Sequence, residues 1–133
     1  ERHWVFGQAL VRCYQQTKLS LNVQREHMRA TLPDGRVIGT GLAWRHFDVP
    51  AAGSCLLSES VLELPEAFRI GEEVETFDTP EELRDKAAYL LAHETQRARM
   101  VQRARQRVLR EHTHVMRARQ WLEMNERGQV AGH

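Results

Sequence analysis

Arg45 and Asp48 stand three residues apart in the run GTGLAWRHFDVPAAGSCLLS, residues 39–58. On a helix that spacing puts a guanidinium and a carboxylate on one face, while Trp44, Phe47 and Ala51 fall on another face suited to a core. Gly39 and Gly41 precede them and let the backbone take positive φ or come close to a ligand. A helix starting near Leu42 or Ala43 aims its unpaired N–H groups at whatever lies in front of it, and an anion is the natural occupant. The alternative is an ordinary α/β helix carrying a surface Arg–Asp ion pair.

The neighbouring elements must position this helix. Gly53 ends it as a C-cap, and Cys55 to Leu57 is an apolar run of the length of a strand covered on both sides. Upstream, Gly7 to Lys18 has helical spacing at Ala9, Leu10, Cys13 and Tyr14, and Leu19 to Val23 follows as a short strand. Asn22 lies near the carboxyl end of that strand, where open α/β sheets place ligand-binding groups; a strand-end Asn that bonds the local backbone is the other reading. Gln24 to Ile38 holds the turn Pro33-Asp34-Gly35 without sustained periodicity and reads as a mobile active-site loop.

Downstream, Leu62 to Phe68 suits a helical turn and Val74 to Phe77 a third strand. Thr79-Pro80-Glu81-Glu82 combines an N-cap Thr, a Pro at the first helical position and a Glu three residues on, which predicts a helix start. Leu83, Ala87, Leu90 and Leu91 form its apolar stripe. Glu94 to Glu111 follows with a narrower stripe at Val101, Ala104 and Val108. A last helix from about His114 to Asn125 carries Val115, Ala118, Leu122 and Trp121. Helices alternating with short apolar strands predict an α/β class with a parallel sheet.

Composition excludes several classes. The chain has 133 residues, 41% hydrophobic and 28% charged, with a net charge of +1, as expected of a soluble globular domain. No run reaches membrane-span length, and Glu-Arg-His-Trp at the start has no signal pattern and looks internal to a longer chain. Cys13 and Cys55 match neither a metal-ligand spacing nor a disulfide framework, which suggests free thiols in the cytoplasm. His112 and His114 diverge on a helix and have no third ligand at suitable spacing, so no metal and no cofactor is expected. His46 reads as a surface or hinge residue. Eight arginines between positions 97 and 119 raise nucleic-acid binding, but no aromatic residues interleave with them and a solvated helix face accounts for them.

Four stretches carry a resemblance: Gly7 to Asn22, Arg45 to Gly53 (RHFDVPAAG), Ile70 to Leu91 (IGEEVETFDTPEELRDKAAYLL) and Val108 to Thr113 (VLREHT). In order and spacing the chain resembles the carboxyl-terminal donor-binding domain of GT-B glycosyltransferases, in the group named after spore maturation protein B. The second stretch is similar to that group's Arg-x-Phe-Glu-x-Pro-Ala-x-Gly motif, with Asp48 where Glu is usual.

The resemblance implies the latter part of a Rossmann-like GT-B donor-binding domain over residues 1–127, with a disordered tail over 128–133. It implies a nucleotide-diphosphate sugar as donor, with Asp48 on the nucleotide ribose, the backbone of Gly39, Thr40, Gly41 and Leu42 at the diphosphate, and Arg45 as positive charge beside it. The acceptor and the catalytic base would belong to an amino-terminal domain of the same protein. Asp48, and Thr40 where many such transferases carry a Glu, sustain the alternative of an inactive, transferase-like interaction module. Three strands leave a sheet edge open, which predicts a homodimer or strand exchange, testable by light scattering.

Overall fold

The computed structural model describes residues 5–130. In chain order these form α1 (Gly7–Gln16), β1 (Ser20–Asn22), a 3₁₀ turn (Glu26–Met28), β2 (Arg29–Thr31), β3 (Val37–Gly39), α2 (Arg45–Ala52), β4 (Leu56–Glu59), α3 (Leu64–Ala67), β5 (Glu75–Phe77), α4 (Pro80–Ala92), α5 (Glu94–Glu111) and α6 (His114–Val130). β1, β4 and β5 make a parallel sheet in the order β1-β4-β5. Leu21 sits opposite Leu57, and Leu57 opposite Glu75, so Asn22, Glu59 and Phe77 end their strands on one carboxyl edge. Helices flank this sheet, as parallel strands require of their connections.

The sequence signals explain the boundaries. Gly53 takes φ 86° after α2, with its N–H on the Pro50 carbonyl and the Ser54 N–H on Val49. That pair of bonds closes the helix as a Schellman motif, which needs the left-handed residue glycine supplies. At α4, Thr79 Oγ1 accepts from the Glu82 N–H at 3.1 Å, while the Glu82 carboxylate accepts from the Asp78 N–H at 2.7 Å. Replacing Thr79 with Ala should lower stability by about 1 kcal/mol, read as a shifted urea midpoint at unchanged slope.

Two apolar clusters hold the domain. Phe47, Val49, Leu56, Leu64, Phe68, Val74, Ala104 and Val108 join α2, β4, α3 and α5. Cys55, Leu90 and Met100, with Leu19 and Val101 against them, form the second. Cys55 and Leu56 are sequence neighbours in different clusters, so apolar contacts cover the sheet on both faces. Burial pushes the free Cys55 thiol up to about 11, which leaves it unreactive.

Several expectations are corrected. Residues 24–38 are not a loop: β2 and β3 pair antiparallel as a hairpin, with Ala30 opposite Ile38. Its strands are three residues each, too short to show a period. α2 begins at Arg45, later than Leu42, and Trp44 is 67% exposed, outside the core where its spacing had put it. Ala104 and Val108 of the expected α5 stripe are buried, together with Arg97 and Met100, and Val101 packs half-buried against the second cluster. Val115, Ala118 and Leu122 of α6 face solvent. α6 continues through Gly128 to Val130; residues 131–133 and the Trp121 side chain lie outside what is described.

The arginines of α5 have structural duties. Arg97 donates to the carbonyls of Leu90 at 2.6 Å and Leu91 at 3.2 Å, and Arg105 to that of Ala51 at 3.2 Å. They satisfy open carbonyls at the ends of α4 and α2. Arg107 bridges Glu73 and Glu111 at 2.7 and 2.9 Å. β1 is an edge strand, with Leu21 and Val23 half exposed.

Candidate functional site

The site gathers at the carboxyl edge of the sheet, where the residue 39–44 loop leads into α2. His46 is 0% exposed and anchors that helix from beneath. The Ala43 N–H donates to Nδ1 at 2.9 Å, and Nε2 stands 3.1 Å from both Ser58 Oγ and Asn22 Nδ2. Ser58 donates onward to the Glu59 carbonyl at 2.8 Å. Asn22 lies alongside, with Nδ2 3.2 Å from Ser58 Oγ. Burial pushes the imidazole below its usual 6.5, and the Arg45 charge adds to the effect. His46 is therefore a buried residue, not the surface one expected.

The loop itself is tied down. The Gly39 N–H donates to the Ser60 carbonyl at 3.0 Å, the Thr40 N–H to Met28 at 2.8 Å, and the Gly41 N–H to the Glu63 carboxylate at 3.0 Å. The Gln24 side chain donates to the Thr40 and Gly41 carbonyls at 2.9 and 3.1 Å. A Cβ on Gly39 would lie 2.6 Å from Gln24 Cγ and 2.9 Å from the Ser60 carbonyl oxygen. Gly39→Ala should therefore cost about 1–3 kcal/mol in chemical denaturation, because the backbone oxygen cannot swing away. Gly41 has φ 76°, the conformation its residue type allows.

Arg45 and Asp48 lie on the outward face of α2, both exposed. No ion pair joins them, and neither has an ion-pair partner among the described residues. The surface-pair alternative is thereby set aside. Partial burial raises the Asp48 carboxyl above its usual 3.8, and His114 draws it back. The Tyr14 phenol, packed from α1 against the first cluster, is near enough to feel both charges. Beside Asp48, a cleft of about 200 Å³ is walled by Trp44, Phe47, Val108, Leu109 and His114, with the Trp44 and His114 rings 5.5 Å apart.

The structure thus brings Arg45, Asp48 and residues 39–42 together, and places Asn22 beneath them, 1% exposed. Among the described residues, nothing bonds the buried Asn22 Oδ1. Sequence reading missed Tyr14, Gln24 and Glu63. Tyr14 had a helical position as its only signal; Gln24 and Glu63 act across 16 or more positions, where no spacing rule reaches. His112 Nε2–H donates to the Ala67 carbonyl at 3.0 Å and its ring lies among Phe47 and Phe68, whereas His114 turns to Trp44.

A three-stranded parallel sheet flanked by helices, with its polar groups at the carboxyl edge, defines a Rossmann-like α/β domain. The chain belongs to the glycosyl transferase-like family, whose sequence model matches residues 1–123. No curated protein and no solved structure matches it. Membership makes a sugar donor and an acceptor its partners. Among the described residues, no helix is long and apolar enough to cross a membrane.

Proposed function

We propose that the domain is the donor-binding part of a GT-B glycosyltransferase of the spore-maturation-protein-B group, and that it holds a nucleotide-diphosphate sugar against α2. One observation carries this reading: Arg45 and Asp48 are exposed on the same helix face, at the carboxyl edge, and among the described residues neither has an ion-pair partner. Their charges are open to a ligand that has both phosphates and vicinal hydroxyls. Arg45 neutralises the diphosphate and stabilises the charge that develops on it as the sugar leaves. Asp48 accepts from the ribose hydroxyls.

The amides of Gly39, Thr40 and Gly41 already have acceptors, so the phosphates are received further on, by Arg45 and the open N–H groups of Leu42 and Trp44 at the entry to α2. The catalytic base and the acceptor site are assigned to an amino-terminal domain of the same cytoplasmic protein. Calorimetric titration with UDP, GDP and TDP, in parallel on an Arg45→Ala/Asp48→Ala double variant, tests the reading. Binding of one nucleotide that the variant loses supports it. Equal binding by both proteins moves the site elsewhere, and no binding to either favours an interaction module.

A further inference from the structure

The residue 39–42 loop looks like a phosphate cradle in sequence, yet its nearest charged partner in the fold is negative. Glu63, at the entry to α3, places Oε2 3.0 Å from the Gly41 N–H. The neighbouring carboxylate, Glu59, differs from it. Arg29 meets Glu59 at 2.7 Å and the Gln24 N–H meets it at 2.9 Å, so its charge is compensated within the fold. Glu63 has no cation against it among the described residues, and its Oε1 has no hydrogen-bond partner and is not sealed from solvent.

This arrangement divides the edge by charge. A phosphate brought to Gly41 would meet a carboxylate at contact distance and find its amide occupied, so like-charge repulsion and lost hydrogen bonds both exclude it. The same carboxylate is well suited to a neutral group rich in O–H donors, since a hydroxyl bonded to an ionised oxygen makes a short, strong bond. Arg45 lies four residues further along the chain, exposed and unpaired, at the start of α2. Positive charge there and negative charge at Gly41 give the site a polarity.

We infer that Glu63 is a specificity-determining residue that reads hydroxyls of the transferred sugar, with the diphosphate lying on the Arg45 side. The inference rests on the donor-binding reading above and adds the orientation of the donor. Holding Oε2 on a backbone N–H fixes the carboxylate in advance of binding, so Oε1 is presented without a further ordering cost. Because the Gly41 bond and the Leu62 N–H on the Gly39 carbonyl both join the entry of α3 to the loop, the sugar-reading group and the loop keep their relative position.

The test is calorimetric titration of wild type, Glu63→Gln and Glu63→Asp with UDP, GDP and TDP, and with UDP-glucose, GDP-mannose and TDP-glucose. Glu63→Gln keeps an oxygen for the Gly41 N–H and removes the charge; Glu63→Asp keeps the charge and withdraws it by one methylene. Both should weaken the bound nucleotide sugar about tenfold or more while changing the free nucleoside diphosphate less than twofold. A deoxy-sugar donor, titrated into wild type, should show a comparable loss, and a much smaller one into Glu63→Gln.

Equal weakening of diphosphate and nucleotide sugar would overturn the inference and make Glu63 a support of the loop. Tighter diphosphate binding by Glu63→Gln would also overturn it, marking the carboxylate as an anion that phosphate displaces. If no nucleotide binds wild type, the donor site itself fails and the inference with it; if nucleotides bind but the sugar makes no difference, only the inference fails.

Discussion

On the proposed donor-binding reading, Arg45→Ala should weaken the cognate nucleoside diphosphate by about 10–100-fold and leave the parent nucleoside unaffected, whereas Asp48→Ala should weaken both. The magnitude follows from what each side chain contributes. A hydrogen bond to an ionised group is worth about 1.5–3 kcal/mol when its partner is removed, and 1.4 kcal/mol is a factor of ten. Among the described residues neither has an ion pair to lose, so the variants should unfold with wild-type cooperativity and the loss be read as binding.

The two variants separate by ligand because the charges differ in sign. In the proposed site Arg45 is assigned to the phosphates, so its contribution should fall as salt screens an exposed pair. Asp48 is assigned to the ribose hydroxyls and should respond to pH instead. Its carboxyl is raised above 3.8 by partial burial, so affinity for the nucleoside should begin to fall at a higher pH than an ordinary aspartate would give. Calorimetry on the two single variants, at two salt concentrations, checks both statements. An Arg45→Ala effect on the bare nucleoside would contradict the assignment.

His46→Ala has the largest expected effect on stability, about 3–5 kcal/mol. Removing the ring opens a cavity in a site with 0% exposure, and it also strands the Ala43 N–H and one bond of Ser58. Each stranded group adds a desolvation penalty of about 1–3 kcal/mol, on top of the cavity. Loosened contacts at Ala43 free the entry of α2, so Arg45 and Asp48 should lose their position before the domain loses its fold. The sign of the pH effect follows from the buried imidazole. Its folded-state pKa lies below 6.5, so above 6.5 both states are neutral and it contributes no slope. As pH falls below 6.5 the unfolded chain takes up a proton that the folded one refuses, and stability drops by at most about 1.4 kcal/mol per pH unit until the folded pKa is reached. Urea titrations between pH 5 and pH 8 should show that slope in wild type and its absence in His46→Gln.

The sequence-based reading was strongest where local chemistry decides conformation. Gly53 and Thr79 both act within three or five residues of themselves, and α5 runs over the residues 94–111 expected of it. Residues 24–38 were misread because hairpin pairing is set between β2 and β3, and the strands are too brief for an alternation to register. Trp44 was misplaced because periodicity orders side chains around an axis without saying which side meets the sheet. Met100 joins the buried stripe and Val101 flanks it for the same reason.

By itself the sequence determined the α/β class, the order of the helices and of the three parallel strands, and the placing of Arg45 and Asp48 on one helix face, since all of these follow from spacings of a few residues. Only the tertiary structure decided that His46 is a buried anchor, that the Gly39, Thr40 and Gly41 amides are already satisfied, and that Glu63 stands 3.0 Å from Gly41. Those contacts join β1, the residue 39–44 loop, β4 and α3 across as many as 36 positions. Burial and hydrogen bonding between distant segments are properties of the closed chain, fixed when the sheet forms and brings its strand ends to one edge.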